Sequence, residues 1–82
     1  MWTVGWTKRA LDDLAALDKP IARRVIAKVE AAALDPPRYF ERLTDPNTWR
    51  MRVGDIRVIA VLAFDRDVIT VQSIDKRSRV YR

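Results

Sequence analysis

The sequence predicts an α+β fold with element order β-α-α-β-β-β, an antiparallel sheet with an N-terminal helical hairpin packed on one face. Three observations carry this. Apolar residues recur at helical spacing only before residue 35, β-branched residues concentrate after residue 48, and Gly54-Asp55 and Asp65-Arg66-Asp67 divide that second region with turn composition. At 82 residues the chain is sized for one domain, 1–82. A fold this small buries only about 60–65% of its unfolded surface, so a stabilising partner is a natural expectation.

The elements follow in order. Residues 3–6 are aromatic-flanked and weakly alternating, a short first strand. Thr7 then offers a helix N-cap, and Ala10, Leu11, Leu14 and Leu17 recur as an apolar stripe. Asp18-Lys19-Pro20 interrupts that stripe. Because Pro is tolerated only in a first helical turn, a second helix starts there and runs to about Leu34, burying Ile21, Val25, Val29 and Ala32. Asp35-Pro36-Pro37 ends it. The stretch to Thr48 has no clear period and reads as a loop pinned by Tyr39, Phe40 or Leu43. Three strands follow, over 49–53, 56–64 and 68 to about 75.

Composition narrows the function. The chain has no His and no Cys, which removes disulfides, thiolate metal sites and the usual zinc, copper and haem ligands. Neither a signal core nor an apolar run long enough to span a bilayer is present, so a soluble protein of the reducing cytoplasm is expected. The formal charge of +5 is uneven: residues 1–48 hold eight Lys/Arg against seven Asp/Glu, whereas residues 49–82 hold eight against four. Seven of those last eight are Arg, whose planar fork matches phosphate bidentately; the alternative is a solvated basic face kept for solubility.

A register can be written down. A two-residue turn at Gly54-Asp55 pairs Val53 with Ile56, Arg52 with Arg57, Met51 with Val58 and Arg50 with Ile59. A three-residue turn at 65–67 sets Phe64 against Val68, Val61 against Val71 and Arg57 against Asp75. One face then collects Trp49, Met51, Val53, Ile56, Val58, Ala60, Leu62, Phe64, Val68, Thr70 and Ile74 as a core. The other carries Arg50, Arg52, Arg57 and Asp75, joined by Arg77 if the last strand extends, beside an apolar strip of Ile59, Val61, Ala63, Ile69 and Val71. Arg52 opposite Arg57 is unfavourable by some tenths of a kcal/mol, up to about 1, unless an anion lies between them. The strip is expected to meet a protein partner, or else to be covered by the loop 35–48 or a helix.

The run Trp49-Arg50-Met51-Arg52-Val53-Gly54-Asp55-Ile56-Arg57-Val58-Ile59, with Leu43 before it and Asp75-Lys76-Arg77-Ser78-Arg79-Val80-Tyr81 at the close, resembles the RelE/ParE toxin superfamily. Residues 8–20 resemble its first helix and helix-helix turn, so the likeness spans nearly the whole chain. It implies a single RelE-like toxin domain of a type II toxin-antitoxin system. RelE-like members cut messenger RNA in the ribosomal A site, whereas ParE-like members inhibit DNA gyrase and generally lack the basic catalytic set. Arg50, Arg52, Arg57, Arg77 and Tyr81 match the RelE-like catalytic positions, with Arg79 and Lys76 as further substrate-binding residues. Two departures stand out: Ile56 where an aromatic is usual, and Asp75 where Gly or His is common.

That mechanism, attack of a ribose 2′-hydroxyl on the adjacent phosphate, needs a base, stabilisation of phosphoryl charge and an acid for the leaving 5′-oxygen. Arginines suit the middle task and, almost never losing a proton, are poor bases. Tyr81, flanked by Arg77 and Arg79, is the expected base or orienting group, with Asp75 the other candidate. The alternatives are a gyrase inhibitor and a decayed toxin acting only through its antitoxin and DNA. The partners implied are an antitoxin with an acidic segment, seated on Ile59, Val61, Ala63, Ile69 and Val71 or on the first two helices, which the family often uses as well, together with the ribosome and its messenger; DNA is reached only through the antitoxin, and no membrane is involved. No metal or organic cofactor is implied.

Overall fold

Thr7 begins the helical half as foreseen. A computed structural model of the protein describes residues 1–76, so Arg77, Arg79 and Tyr81 lie outside the described residues. After strand β1 (Thr3–Trp6), Thr7 accepts a hydrogen bond from the Ala10 amide and caps helix α1 (Lys8–Ala15). Helix α2 (Lys19–Ala32) starts on Asp18 with Pro20 in its first turn, where no amide hydrogen bond is lost. Ala10 and Leu14 are buried, while Leu11, about 100° further round the helix, stays 52% exposed. The segment expected to be a loop holds one short helical turn, α3 (Pro36–Tyr39), and a two-residue strand, β2 (Glu41–Arg42). Of its three candidate pins, Phe40 is the buried one.

Strands β3 (Thr48–Val53), β4 (Ile56–Ala63) and β5 (Val68–Lys76) form the meander. The sheet order is β1-β5-β4-β3-β2. All neighbours are antiparallel except β1 and β5, which run parallel, so the sheet is mixed and not antiparallel throughout. The β3/β4 register is the one written from the turn. Gly54 takes φ 64° and Asp55 does not share a positive φ, the pattern of a two-residue hairpin with Gly at its first central position.

The β4/β5 register differs. The connection is a four-residue loop, 64–67, closed by Asp67 at φ 55°, and it pairs Ala63 with Val68. That one-residue slip turns Ile69 and Val71 to the helix side, opposite Leu62 and Ala60. A β-bulge between Ile59 and Ala60 then takes up one extra residue on β5 and restores Arg57 opposite Asp75. The bulge is pinned by α1: the Thr7 hydroxyl donates to the Gln72 carbonyl at 2.9 Å, and the Ile74 amide donates to Asp13 Oδ2 at 2.9 Å. These side chains take hydrogen bonds that β1, ending at Trp6, does not supply.

The core lies between the sheet and the helices. Val25, Val29, Ile56, Val58, Ile69 and Val71 are among its most deeply buried side chains, and no charged or polar residue described belongs to it. Trp2, Trp49 and Phe64 close one end, with ring centroids 5.1 and 5.7 Å from Phe64. No helix among the described residues is long and apolar enough to cross a membrane.

Candidate nucleic-acid interface

The pleat brings Arg50 and Arg52 of β3 to the sheet face turned away from the helices, and Arg57 of β4 joins them directly opposite Arg52. Same-face neighbours on a strand are about 6.6 Å apart and paired Cβ atoms about 5 Å, so three guanidinium stems rise from a patch about 7 Å on a side. Asp75 shares this face because the bulge re-aims the end of β5, and Arg57 Nη2 donates to its Oδ2 at 3.5 Å. Arg50 Nη2 donates to Glu41 Oε2 at 3.2 Å. Arg52 is exposed and forms no ion pair among the described residues.

Glu41 is the member of this site that sequence reasoning missed. Its strand is two residues long, too short for any period to announce it, and only the pairing of Glu41 with Arg50 reveals its place. Arg42, the other residue of β2, lies 5.5 Å from the Trp49 ring centroid and anchors that strand through a cation–π contact. Arg50 retains a buried Nε without a hydrogen-bond partner, so its fork is only partly satisfied by Glu41.

Three sequence expectations need correction. Ile69 and Val71, expected on the uncovered strip, are 0% exposed and belong to the core, because the longer 64–67 loop shifts the register by one. Lys76, expected beside the arginines, pairs with Ile56 and so points to the helix side of the sheet. There it borders a cleft of about 250 Å³ between α1 and the end of β5, whose rim includes Arg9, Asp13 and Asp18. Phe64, Val68 and Thr70, expected in the core, are not in it: Phe64 falls in the loop and is 51% exposed, and the slip turns Val68 and Thr70 to the open face beside the half-buried Ile59, Val61 and Ala63.

Chemically, the open face can hold an anion. Two of its guanidiniums are shared with carboxylates on exposed, readily displaced side chains, and the third is open to solvent. Among the described residues no group of three or more acids is arranged to hold a metal ion.

Comparison with solved structures finds the same fold in the RelBE2 toxin-antitoxin complex of Mycobacterium tuberculosis, with TM-score 0.84 and 23% identity over 93% of this chain and 98% of that one. The archaeal RelE-RelB complex of Pyrococcus horikoshii OT3 gives TM-score 0.77 and 26% identity over 95% and 97%. The intact RelBE complex of E. coli gives 0.81 and 15% over 93% and 96%, a likeness of fold alone. A comparison with curated proteins finds no match. The model of the ParE toxin family, described as the ParE toxin of the type II toxin-antitoxin system parDE, matches residues 4–81. Strand order, helical hairpin and a match over almost the full length agree, and the chain belongs to the RelE/ParE superfamily of type II toxin-antitoxin toxins through the ParE toxin family.

Proposed function

We propose that this toxin is a ribosome-dependent messenger-RNA endoribonuclease that inhibits translation in the cytoplasm. The observation that carries the reading is the placement of Arg52 opposite Arg57 on an uncovered face, with Arg50 beside them and no carboxylate on Arg52 among the described residues. Like charges set directly across a sheet are disfavoured, and a bound phosphate relieves them.

In this mechanism the 2′-oxygen loses its proton and attacks the adjacent phosphorus, the P–O5′ bond breaks, and the leaving 5′-oxygen takes a proton from water, so that a 2′,3′-cyclic phosphate and a 5′-hydroxyl result. Arg52 and Arg57 stabilise charge growing on the non-bridging oxygens, a task for which one well-placed donor is worth about 10²–10³ in rate. Arg50 orients the strand. Arg77, Arg79 and Tyr81 complete the site in this proposal, Tyr81 accepting the 2′ proton or orienting that hydroxyl. Arg57 must exchange Asp75 for phosphate, so the isolated protein is a poor nuclease and the ribosome supplies substrate geometry, for which positioning can contribute about 7–11 kcal/mol.

The solved relatives named above are toxin-antitoxin complexes, which supports a cognate antitoxin here as well. Its acidic segment would compete for Arg50, Arg52 and Arg57, and its apolar part would lie on Ile59, Val61 and Ala63. DNA would be reached only through that antitoxin.

The test is a purified translation system with mapped messenger ends. Wild-type protein is expected to cut messenger only when ribosomes are present, with Arg52→Ala and Arg57→Ala each at least about 10²-fold slower. Unchanged cutting by both variants would overturn the role of the face. Inhibition of DNA gyrase is the second reading, favoured by the ParE family match and by the carboxylates on Arg50 and Arg57. It predicts blocked supercoiling with messenger left intact.

A further inference from the structure

The bulge in β5 decides which side chain faces Arg57. Val71 and Ile74 are both buried on the helix side although they stand three positions apart, which strict alternation along a strand forbids. Gln72 reconciles them: Val71 pairs with Ala60 and Ser73 with Ile59, which leaves Gln72 as the extra residue. Carried on without it, the Ala60–Val71 register would set Ile74 against Arg57 and turn Asp75 to the helix side, opposite Ile56. The carboxylate that meets Arg57 Nη2 at 3.5 Å is therefore there because of the bulge.

Beyond the bulge, α1 supplies what a neighbouring strand does not. The last pair of β1 is Trp6 with Val71, so among the described residues 73–76 has a strand neighbour, β4, on one side only. On the other side Asp13 takes a strand's place: its Oδ2 accepts the Ile74 amide at 2.9 Å. The Asp13 side chain is 27% exposed, whereas Arg9, whose Nε lies 3.8 Å from the same oxygen, is 76% exposed, so the amide bond and not that ion pair fixes the carboxylate. Ile74 immediately precedes Asp75. Helix α1 thus grips β5 one residue from the group that occupies Arg57.

We infer that Asp13 is a positioning residue that, through Ile74, keeps Asp75 on Arg57 and so restrains the arginine face. A carboxylate held in place competes with an incoming phosphate at a high effective concentration, and the competition weakens once the strand end carrying it can move away. The latch rests on the reading of the arginine face as a phosphate-binding surface, and it names the contact which that face must give up. Asp13 acts from the helix side, through the strand.

The experiment measures binding of a fluorescent single-stranded RNA oligonucleotide to the full-length protein over a series of salt concentrations. Asp13→Ala is expected to bind about 2–5-fold more tightly, the worth of an exposed ion pair, with the log–log salt slope steeper by up to about 0.7 as Arg57 gains a phosphate. Asp13→Asn removes the same charge but keeps a carbonyl oxygen for the Ile74 amide, and should bind as wild type does. Equal tightening in both variants means that lost charge alone is responsible, and overturns the latch. In an Asp75→Asn background Asp13→Ala should add nothing; a further tightening of the same size overturns the coupling. Hydrogen exchange of the wild-type protein tests the grip without any variant: the Ile74 amide should be as protected as the paired amides of β5, and exchange at the rate of an open amide overturns it. Arg57→Ala separates the two proposals. If it leaves RNA affinity unchanged, the arginine-face reading fails and the latch has nothing to restrain. If it weakens binding while Asp13→Ala matches wild type, the latch alone fails.

Discussion

Replacing Ile69 by Ala tests the β4/β5 register with a stability measurement. Ile69 is 0% exposed and sits opposite Leu62 on the helix side, so the substitution leaves a cavity in the core. Such Ile→Ala changes cost about 2–5 kcal/mol, a large part of the roughly 4–12 kcal/mol expected for a chain of this size. At about 4–8 °C per kcal/mol, Tm should fall by about 10–30 °C. Ile59, the same residue type on the uncovered face, is the internal control, and its replacement by Ala should cost about 1 kcal/mol or less. Urea unfolding followed by tryptophan fluorescence and circular dichroism gives both values, provided the m-value is unchanged. Had the shorter 65–67 turn formed, Ile59 and Ile69 would share a face and respond alike. Equal losses, or a greater loss at Ile59, would refute the slipped register and the bulge that follows from it.

Other expectations follow from the same geometry. Gly54→Ala places Cβ in ordinary contact with Arg24, so its cost comes from the positive φ alone, about 1–2 kcal/mol, read as a drop in Tm with messenger cutting retained. Thr7→Ala removes both the cap of α1 and the bond to the Gln72 carbonyl, and should cost about 1–2 kcal/mol in urea unfolding. Asp75→Asn frees Arg57 from an exposed ion pair; stability should change by less than about 1 kcal/mol, while RNA affinity rises and its salt dependence steepens. Weaker RNA binding by that variant would count against Asp75 as a competitor for phosphate.

Much of the fold was legible because local chemistry dictates it. Thr7, Pro20 and Gly54 each mark a boundary through a backbone requirement, and the β3/β4 register follows from the turn alone. Arg50, Arg52 and Arg57 could therefore be placed on one face. The parallel β1/β5 pairing was not legible, since it joins the two ends of the chain and leaves no local mark. The 64–67 loop misled for a different reason: a three-residue turn and a four-residue turn followed by a bulge give the same Arg57–Asp75 pairing. Only the residues between those fixed points, Ile69 and Val71 above all, distinguish the two. Glu41 escaped because a two-residue strand has no period, and Arg50 consequently read as less neutralised than it is.

The most direct measurement of the central claim sets ribosome and gyrase side by side, using one preparation of the protein. Purified ribosomes with a defined messenger, and purified gyrase with relaxed plasmid, are each titrated with wild-type protein and with Arg52→Ala. The arginine face predicts messenger cleavage on the ribosome, lost in Arg52→Ala, at concentrations that leave supercoiling untouched. Blocked supercoiling with intact messenger would contradict it.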